Sequence, residues 1–298
     1  MSPTSPVTVI IPVFDGERFI GDAIRSVLVQ TIEPLELIIV NDGSTDETGR
    51  IVDAFDDPRI RQVVLTNRGL AAARNRGIAE ATHSLIAFLD ADDEWLPDRL
   101  EKQLPLMAPS SFVSSDVVFW DETSGELLGR YIAFDRFPEQ TEKFTGDILI
   151  PLLAQNFIHP STVLAWKEDL MEHGGFDESL PVAEDWDMWL RLAQDIRHDR
   201  VHSPLVKVRK RSDSLQSDAK RLTHFSTHVL ESAAERLRAA GRLDDMARTS
   251  LGLGFFGARA VSRSRRELLA ATVRRPWLGS RWKWACASLI HPLLKLKR

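Results

Sequence analysis

The chain has 298 residues, of which 43% are hydrophobic and 27% are charged, and its formal net charge at pH 7 is −5. This composition is typical of a soluble globular protein. The single cysteine, Cys286, excludes an intramolecular disulfide framework and favours a reducing compartment. Neither a secretory signal nor a run of about 18 apolar residues is visible, so we expect no membrane-spanning helix.

The net charge conceals a difference between two parts of the chain. Residues 259–298 contain eleven Lys and Arg residues against one acid, Glu267, a local balance of +10. Subtracted from the net charge of −5, this leaves −15 for residues 1–258. Such a difference suggests a basic tail with its own partner.

The first third of the chain alternates between strand and helix patterns. Apolar, β-branched runs predict strands at 7–14, 35–40, 60–65 and 85–89, and apolar positions at helical spacing predict helices at 18–30, 48–55 and 70–81. This alternation indicates right-handed βαβ units and a mostly parallel sheet. Functional residues are therefore expected where the strands end.

Three carboxylates, Asp90, Asp92 and Asp93, follow the fourth predicted strand. Hard cations such as Mg²⁺ are held by one or two carboxylates together with substrate phosphates, so one interpretation is a metal site. The other is that Asp92 or Asp93 caps the helix that begins near Pro97.

Two common nucleotide-binding patterns are missing from the sequence. The first strand is not followed by Gly-x-Gly-x-x-Gly, and Gly-x-x-x-x-Gly-Lys-Ser/Thr does not occur. Neither a dinucleotide-binding Rossmann domain nor a P-loop enzyme is therefore supported.

Four motifs, in their order along the chain, resemble the family 2 glycosyltransferases. They are Val-Ile-Ile-Pro-Val-Phe at 9–14, Ile-Val-Asn-Asp-Gly-Ser-Thr-Asp at 39–46, Gly-Leu-Ala-Ala-Ala-Arg-Asn-Arg-Gly at 69–77 and Phe-Leu-Asp-Ala-Asp-Asp at 88–93. The resemblance implies the GT-A fold, a Rossmann-like α/β domain with a mixed, mostly parallel sheet flanked by helices. It also implies an inverting enzyme with a nucleotide-sugar donor. We expect this domain at residues 1–217, and a helical, basic C-terminal extension at 218–298.

The resemblance assigns one set of residues to the nucleobase of the donor. Pro12, Val13 and Phe14 would line its pocket, with the ring of Phe14 stacked on the base. Asp42 would accept a hydrogen bond from the base. The role of Asp15 stays open because an Asn is more usual there, and a core aromatic is the alternative reading of Phe14.

A second set is assigned to the rest of the donor. Arg74 would contact base or phosphate, unless it is a charge on a helix surface, and Asp90 would meet the ribose. Many relatives carry a histidine at the position of Arg211, near the donor phosphates. An arginine there would neutralise phosphate charge, and a solvated basic loop is the alternative.

The same resemblance assigns the chemistry to two acids. Asp92 would hold a divalent cation, Mn²⁺ or Mg²⁺, which stabilises the leaving phosphate as a Lewis acid. Asp185 would be the general base that takes the proton of the acceptor hydroxyl, supported on the acceptor side by Glu184 and Trp186. The alternative for Glu184 and Asp185 is a structural role, since acidic residues favour the first turn of a helix.

The later part of the chain is less regular. The sequence predicts a hairpin of 116–120 with 126–130, a helix at 146–153, a strand at 161–166, a helix that opens at 183, and C-terminal helices at 224–240 and 246–262.

The tail at 274–298 interleaves tryptophans with Arg and Lys and continues into an apolar stretch. This composition is typical of a segment that lies in a membrane interface. We expect peripheral contact with an anionic membrane, with packing on the catalytic domain as the alternative. Nucleic acid is not an expected partner because no recognition module accompanies the charge.

These expectations describe a metal-dependent glycosyltransferase that takes a UDP-sugar and a glycan or lipid-linked acceptor, at the cytoplasmic face of the cell membrane, in cell-surface polysaccharide synthesis. One alternative is a sugar nucleotidyltransferase, which would need a glycine-rich basic loop after the first strand. The other is a non-catalytic nucleotide-sugar-binding protein.

Overall fold

The computed structural model describes residues 6–32, 35–122, 124–125, 127–131, 145–210, 218–244, 247–248, 250–252 and 255. The chain divides into two compact units, Met1–Ile148 with Phe157–Ser214, and Leu149–Asn156 with Leu215–Arg298. The domain boundary expected at residue 217 stays a prediction.

The described strands of the first unit form a single nine-stranded sheet. They are β1 Val7–Val13, β2 Leu35–Asn41, β3 Ile60–Val64, β4 Leu85–Phe88, β5 Glu94–Trp95, β6 Ser111–Asp121, β7 Leu127–Tyr131, β8 Leu164–Trp166 and β9 Arg197–Lys210. Their order is β3-β2-β1-β4-β8-β6-β9-β5, with β7 paired to β6. The pairs β1–β2, β1–β4, β2–β3 and β6–β9 are parallel, and the others are antiparallel.

The described helices are α1 Ile20–Leu28, α2 Thr48–Asp53, α3 Leu70–Glu80, α4 Arg99–Gln103, α5 Leu149–Ala154, α6 Lys167–Glu172, α7 Glu184–Leu192 and α8 Ala219–Ala239. Of these, α5 and α8 belong to the second unit. Two 3-10 turns are among the described elements, Leu104–Leu106 after α4 and Pro160–Thr162 before β8.

The core of the first unit lies on both faces of β1, where all seven residues are buried. A strand buried on both faces reads as a continuous apolar run, which explains the Val and Ile content of this segment. Helix α3 packs so closely on it that a Cβ added to Gly77 would lie 2.4 Å from Ile10 Cγ2. The glycine that closes the third motif therefore allows the helix to approach the sheet.

The predicted α/β fold is confirmed, including the four opening strands, the three helices between them and the hairpin of β6 with β7. Three later segments differ from the sequence predictions. The helix predicted at 146–153 begins only at Leu149, and Gly146 instead exchanges backbone hydrogen bonds with His198. The predicted strand at 161–166 begins only at Leu164, because the chain first makes the turn Pro160–Thr162. The long strand β9 was not predicted, since its Arg, His and Lys residues give no apolar pattern.

In the second unit, α8 begins at Ala219, earlier than the helix predicted at 224–240. The carboxylate of Asp218 accepts hydrogen bonds from the backbone N–H groups of Lys220 and Arg221, both at 3.0 Å, and so caps the first turn. The helix predicted at 246–262 lies largely outside the described residues. Among the described helices, none is both long and apolar enough to cross a lipid bilayer.

Candidate active site

Three residues assigned from the sequence follow adjacent parallel strands. Phe14 follows β1, Asp42 follows β2 and Asp90 lies just beyond β4, and these three strands are neighbours in the sheet. The carboxyl ends of parallel strands meet at one edge, which is where open α/β folds bind ligands. The candidate site is therefore built along this edge.

The β1 end presents an aromatic ring to solvent. Val13 is 4% exposed and Pro12 is buried, whereas 47% of the Phe14 surface is accessible. A half-exposed phenylalanine beside buried strand residues is available to stack on a planar ligand. Its assignment to a nucleobase stays a prediction.

The loop after Phe14 is tied to the loop after β2 by reciprocal hydrogen bonds. The Asp15 N–H donates to Ser44 Oγ at 3.0 Å, and Asp15 Oδ1 accepts from the Thr45 N–H at 2.7 Å. Asp15 has a positive φ of 47°, a conformation that Asp and Asn tolerate better than most residues. These bonds fix the backbone that carries Phe14.

The side chain of Asp42 accepts hydrogen bonds from the loop that precedes α3. Its Oδ1 accepts from the Arg68 N–H and its Oδ2 from the Gly69 N–H, both at 2.7 Å, and the residue is 3% exposed. Each carboxylate oxygen has two lone pairs, so a further donor from a ligand can still be accepted. The assignment of Asp42 to the base stays a prediction.

Arg74 is buried and donates hydrogen bonds to acids from two segments of the site. Its Nη2 donates to Asp90 Oδ1 at 2.7 Å and its Nη1 to Glu184 Oε1 at 2.5 Å, and the arginine is 1% exposed. The guanidinium lies 5.2 Å from the centre of the Phe176 ring. Burial alone would lower the pKa of Arg74, but the carboxylates of Asp90 and Glu184 outweigh it and raise the pKa. Arg74 is therefore a buried cation between two acids of the site.

Helix α7 supplies the acids on the other side of this link. It begins after Ala183, whose positive φ of 65° turns the chain into the helix. Glu184 accepts a hydrogen bond from Arg74 Nη1, and Asp187 accepts one from Arg191 Nε at 2.8 Å. Asp185, the predicted base, is half-buried, whereas both of these acids are buried. Trp186 is 6% exposed, and its role on the acceptor side stays a prediction, as does that of Glu184.

The acids after β4 gather with a histidine that the sequence analysis missed. Asp90, Asp93 and His159 each offer one ligand atom, and these atoms all lie within 4.8 Å of one another. Burial, followed by the nearby carboxylates of Asp92 and Asp90, raises the pKa of Asp93. Crowded carboxylates beside an imidazole fit a divalent cation, which would relieve their repulsion.

Asp92, the residue expected to bind metal, is not in that group. It is half-buried, and its backbone oxygen accepts from Arg209 Nε at 3.1 Å. Its assignment to the metal stays a prediction.

Charged residues from both the donor side and the acceptor side of the site act on the pKa of His159. Burial lowers the pKa of its imidazole, the charges of Asp90 and Asp185 oppose that shift, and Arg74 and Lys210 reinforce it. No local sequence pattern marks this histidine, because its neighbours come from distant segments.

Two of the sequence predictions lie outside the described residues. These are the phosphate contact at Arg211 and the membrane contact of the tail at 274–298. Within the described part of the same region, Arg209 contacts the acidic turn directly, a residue that the sequence analysis did not single out.

Known proteins match the chain in sequence and in fold. The profile described as Glycosyl transferase family 2 matches residues 8–159, just over half of the chain. A Bacillus subtilis protein named for teichuronic acid biosynthesis, the glycosyltransferase TuaG, is 44% identical over 108 residues, 35% of this chain and 43% of that one. The chain spans between 29% and 63% of the length of the rickettsial glycosyltransferases that it matches.

Two solved structures share the fold at low sequence identity. S. aureus TarS 1–349 in complex with UDP-GlcNAc gives a TM-score of 0.66 at 18% identity, covering 90% of this chain and 76% of that one. The mannosyltransferase PcManGT from Pyrobaculum calidifontis, in complex with GDP-Man and Mn²⁺, gives 0.60 at 20% identity, covering 97% and 86%. With the family profile matched over more than half of its length, and with the GT-A sheet that carries its acids at the strand ends, this protein belongs to glycosyl transferase family 2.

Proposed function

We propose that this protein is an inverting, metal-dependent glycosyltransferase that moves a sugar from a UDP-sugar to a hydroxyl of a glycan or lipid-linked acceptor. The observation that carries the proposal is the buried bridge of Arg74 between Asp90 and Glu184. It ties the acids after β4, on the donor side, to the helix that carries Asp185, on the acceptor side. A transferase needs these two groups in one fixed relation, because the acceptor must attack in line with the leaving group.

Asp185 is the proposed general base. A carboxylate that takes the acceptor proton during attack must be able to reach the substrate. The neighbouring acids are buried in ion pairs, Glu184 with Arg74 and Asp187 with Arg191. Asp185 is the most accessible of the three. A single displacement from the face opposite the leaving group inverts the anomeric carbon and needs no covalent nucleophile.

The donor diphosphate would bind beside the acids after β4. Asp92 is the expected ligand of the cation, with the group of Asp90, Asp93 and His159 as neighbouring donors. A divalent cation bound there would neutralise the charge that develops on the leaving phosphate. The nucleobase would stack on Phe14, beside Pro12 and Val13. The UDP-GlcNAc complex of TarS supports a uridine nucleotide.

The acceptor is proposed to be a cell-surface glycan precursor. The likeness to TuaG, named for teichuronic acid biosynthesis, supports this class of product. We further propose that the protein works at the cytoplasmic face of the membrane, held by peripheral contact of residues 274–298 with anionic lipid. The basic and tryptophan-rich composition of that segment supports the contact.

The experiment is a thermal-stabilisation screen of UDP- and GDP-sugars with Mn²⁺, followed by a donor-hydrolysis assay. Ligand binding to the native state raises apparent stability by mass action. We expect UDP-sugars to stabilise the protein in the presence of Mn²⁺ and to be hydrolysed slowly. Binding without hydrolysis would favour a non-catalytic nucleotide-sugar-binding protein. Release of pyrophosphate from UTP and a sugar phosphate would favour a nucleotidyltransferase.

A further inference from the structure

The acidic turn after β4 is bonded on one side to a buried hydroxyl. Ser161 Oγ accepts from the backbone N–H of Asp90 at 3.0 Å and donates to Asp93 Oδ2 at 2.6 Å. Ser161 itself is fully buried, at 0% exposure. One serine therefore bonds both ends of the turn that carries Asp92.

The segment around Ser161 is held in turn by three side chains at four-residue spacing. Trp95 Nε1 donates to the backbone oxygen of Ser161 at 3.0 Å, Arg99 Nη2 to that of Val163 at 3.0 Å and Gln103 Nε2 to that of Thr162 at 2.8 Å. The Arg99 guanidinium also lies 3.7 Å from the centre of the Trp95 ring. Three successive carbonyls are thus anchored by side chains of β5 and α4, which leaves the serine little freedom to move.

Arg209 holds the same turn from the opposite side. Its backbone N–H donates to Asp93 Oδ1 at 3.3 Å and its Nε to the backbone oxygen of Asp92 at 3.1 Å. Its guanidinium lies between two aromatic rings, 4.9 Å from Phe19 and 4.3 Å from Trp120. The side chain is 4% exposed, so it is rigidly packed.

The charge of Arg209 is balanced without the carboxylates of the turn. Glu122 Oε1 lies 3.2 Å from its Nη1, and Glu94 Oε1 lies 3.4 Å from its Nη2. Its side-chain hydrogen bond to the turn goes to the backbone oxygen of Asp92. Such a bond fixes the backbone that carries the Asp92 carboxylate.

We propose that Ser161 and Arg209 are positioning residues that hold the acidic turn in the geometry needed to bind a divalent cation with the donor diphosphate. This inference rests on the proposed function. Mg²⁺ demands near-ideal geometry from few protein ligands, and partners that orient metal ligands are worth about 10–100-fold in affinity. Neither residue needs to touch the substrate for this effect.

The experiment compares Ser161→Ala and Arg209→Lys with matched controls. Ser114→Ala removes another buried serine hydroxyl, which bonds His198 Nε2 at 2.8 Å. Arg200→Lys alters another buried arginine of β9, paired with Asp116. Calorimetry would measure binding of UDP with Mn²⁺, of UDP with a chelator, and of uridine alone, and GDP and guanosine would replace them if the parent binds GDP more tightly.

We expect Ser161→Ala and Arg209→Lys to weaken the Mn²⁺-dependent binding of the diphosphate by about 10–100-fold, with nucleoside binding unchanged and both controls like the parent. Arg209→Lys keeps the positive charge. Weaker binding by this variant would therefore be due to the missing guanidinium hydrogen bond and its packing. Parent-like affinity in both variants would overturn the inference. So would an equal loss of nucleoside and diphosphate binding, which would indicate general damage to the site. A parent that binds no nucleoside diphosphate with Mn²⁺ would overturn the proposed function itself.

Discussion

Arg74 and Glu184 form a buried ion pair, with 2.5 Å between Nη1 and Oε1 and side chains 1% and 6% exposed. The pair joins α3 to the start of α7, and through Nη2 of the same arginine it reaches Asp90. From the sequence, Arg74 was expected to contact the base or phosphate of the donor. In the structure both ends of its guanidinium are bonded to protein carboxylates, so any donor contact would be made in addition to this bridge.

Arg74→Met should destabilise the protein strongly. Removing one partner leaves the other charge buried and unpaired, which costs about 3–5 kcal/mol. The double variant with Glu184→Gln should lose less than the sum of the single changes, because the more deeply buried of the two stranded carboxylates, Glu184, is then neutral. Urea unfolding of all four members of the cycle would measure this. Arg25→Met breaks the exposed pair with Asp22 and should cost at most about 1 kcal/mol.

Asp185→Asn should lower kcat by about 10²–10⁴-fold, the usual contribution of a general base. Nucleotide affinity should not change, since the amide has nearly the same shape and Asp185 is placed on the acceptor side. Steady-state kinetics and calorimetry on the same preparation would separate the two effects. Asp195→Asn changes an exposed acid beyond the end of the same helix and serves as the control. Turnover close to that of the parent would move the base to another residue.

Phe14→Ala should weaken nucleotide binding. Stacking of a base on an aromatic side chain is worth about 1–3 kcal/mol by alanine substitution, a loss of about 5–150-fold in affinity. Because Phe14 is already 47% exposed, the free energy of unfolding should change little. Met171→Ala removes another exposed apolar side chain and should leave the affinity intact. Unaltered UDP affinity in Phe14→Ala would exclude stacking on this ring.

Asp92→Asn should abolish the part of UDP affinity that depends on Mn²⁺, and a chelator should have the same effect on the parent. The physical reason is that a neutral amide is a much poorer ligand for a hard cation than a carboxylate. Calorimetric titration with and without EDTA would measure it, with Asp98→Asn as the control. If His159→Ala removes the metal dependence and Asp92→Asn does not, the cation is held by the group of Asp90, Asp93 and His159.

Asp57→Asn tests a pH effect outside the site. Hydrogen bonds from the side chain and backbone of Arg59 lower the pKa of Asp57 from 3.8 to about 2. A depressed pKa contributes stability that is present above pH 3.8 and is lost as the pH falls towards 2. Since the pair is partly exposed, we expect Asp57→Asn to cost about 0.2–1 kcal/mol near neutral pH. The difference between the urea midpoints of parent and variant should be largest above pH 3.8 and should shrink as the pH falls from there towards 2. A difference that stays constant over this range would contradict the assignment.

Much of the fold followed from local pattern. The sequence predicted the strands β1 to β4 and the helices between them. The spacing of apolar residues within each segment indicates its type, and turn residues mark where it ends. The positions of Phe14, Asp42 and Asp90 at one sheet edge also followed, since the carboxyl ends of parallel strands coincide.

The sequence by itself thus determined the family, the opening βαβ units and the acids at the strand ends. Only the tertiary structure decided which distant residues meet those acids. Ser161 and His159 reach the acidic turn from a 3-10 turn, and Arg209 reaches it from β9. The parallel pairing of β9 with β6 joins segments far apart in the chain, and neither strand carries a signal for its partner. Contacts of this kind depend on burial and pairing across the whole sheet, so no local period could reveal them.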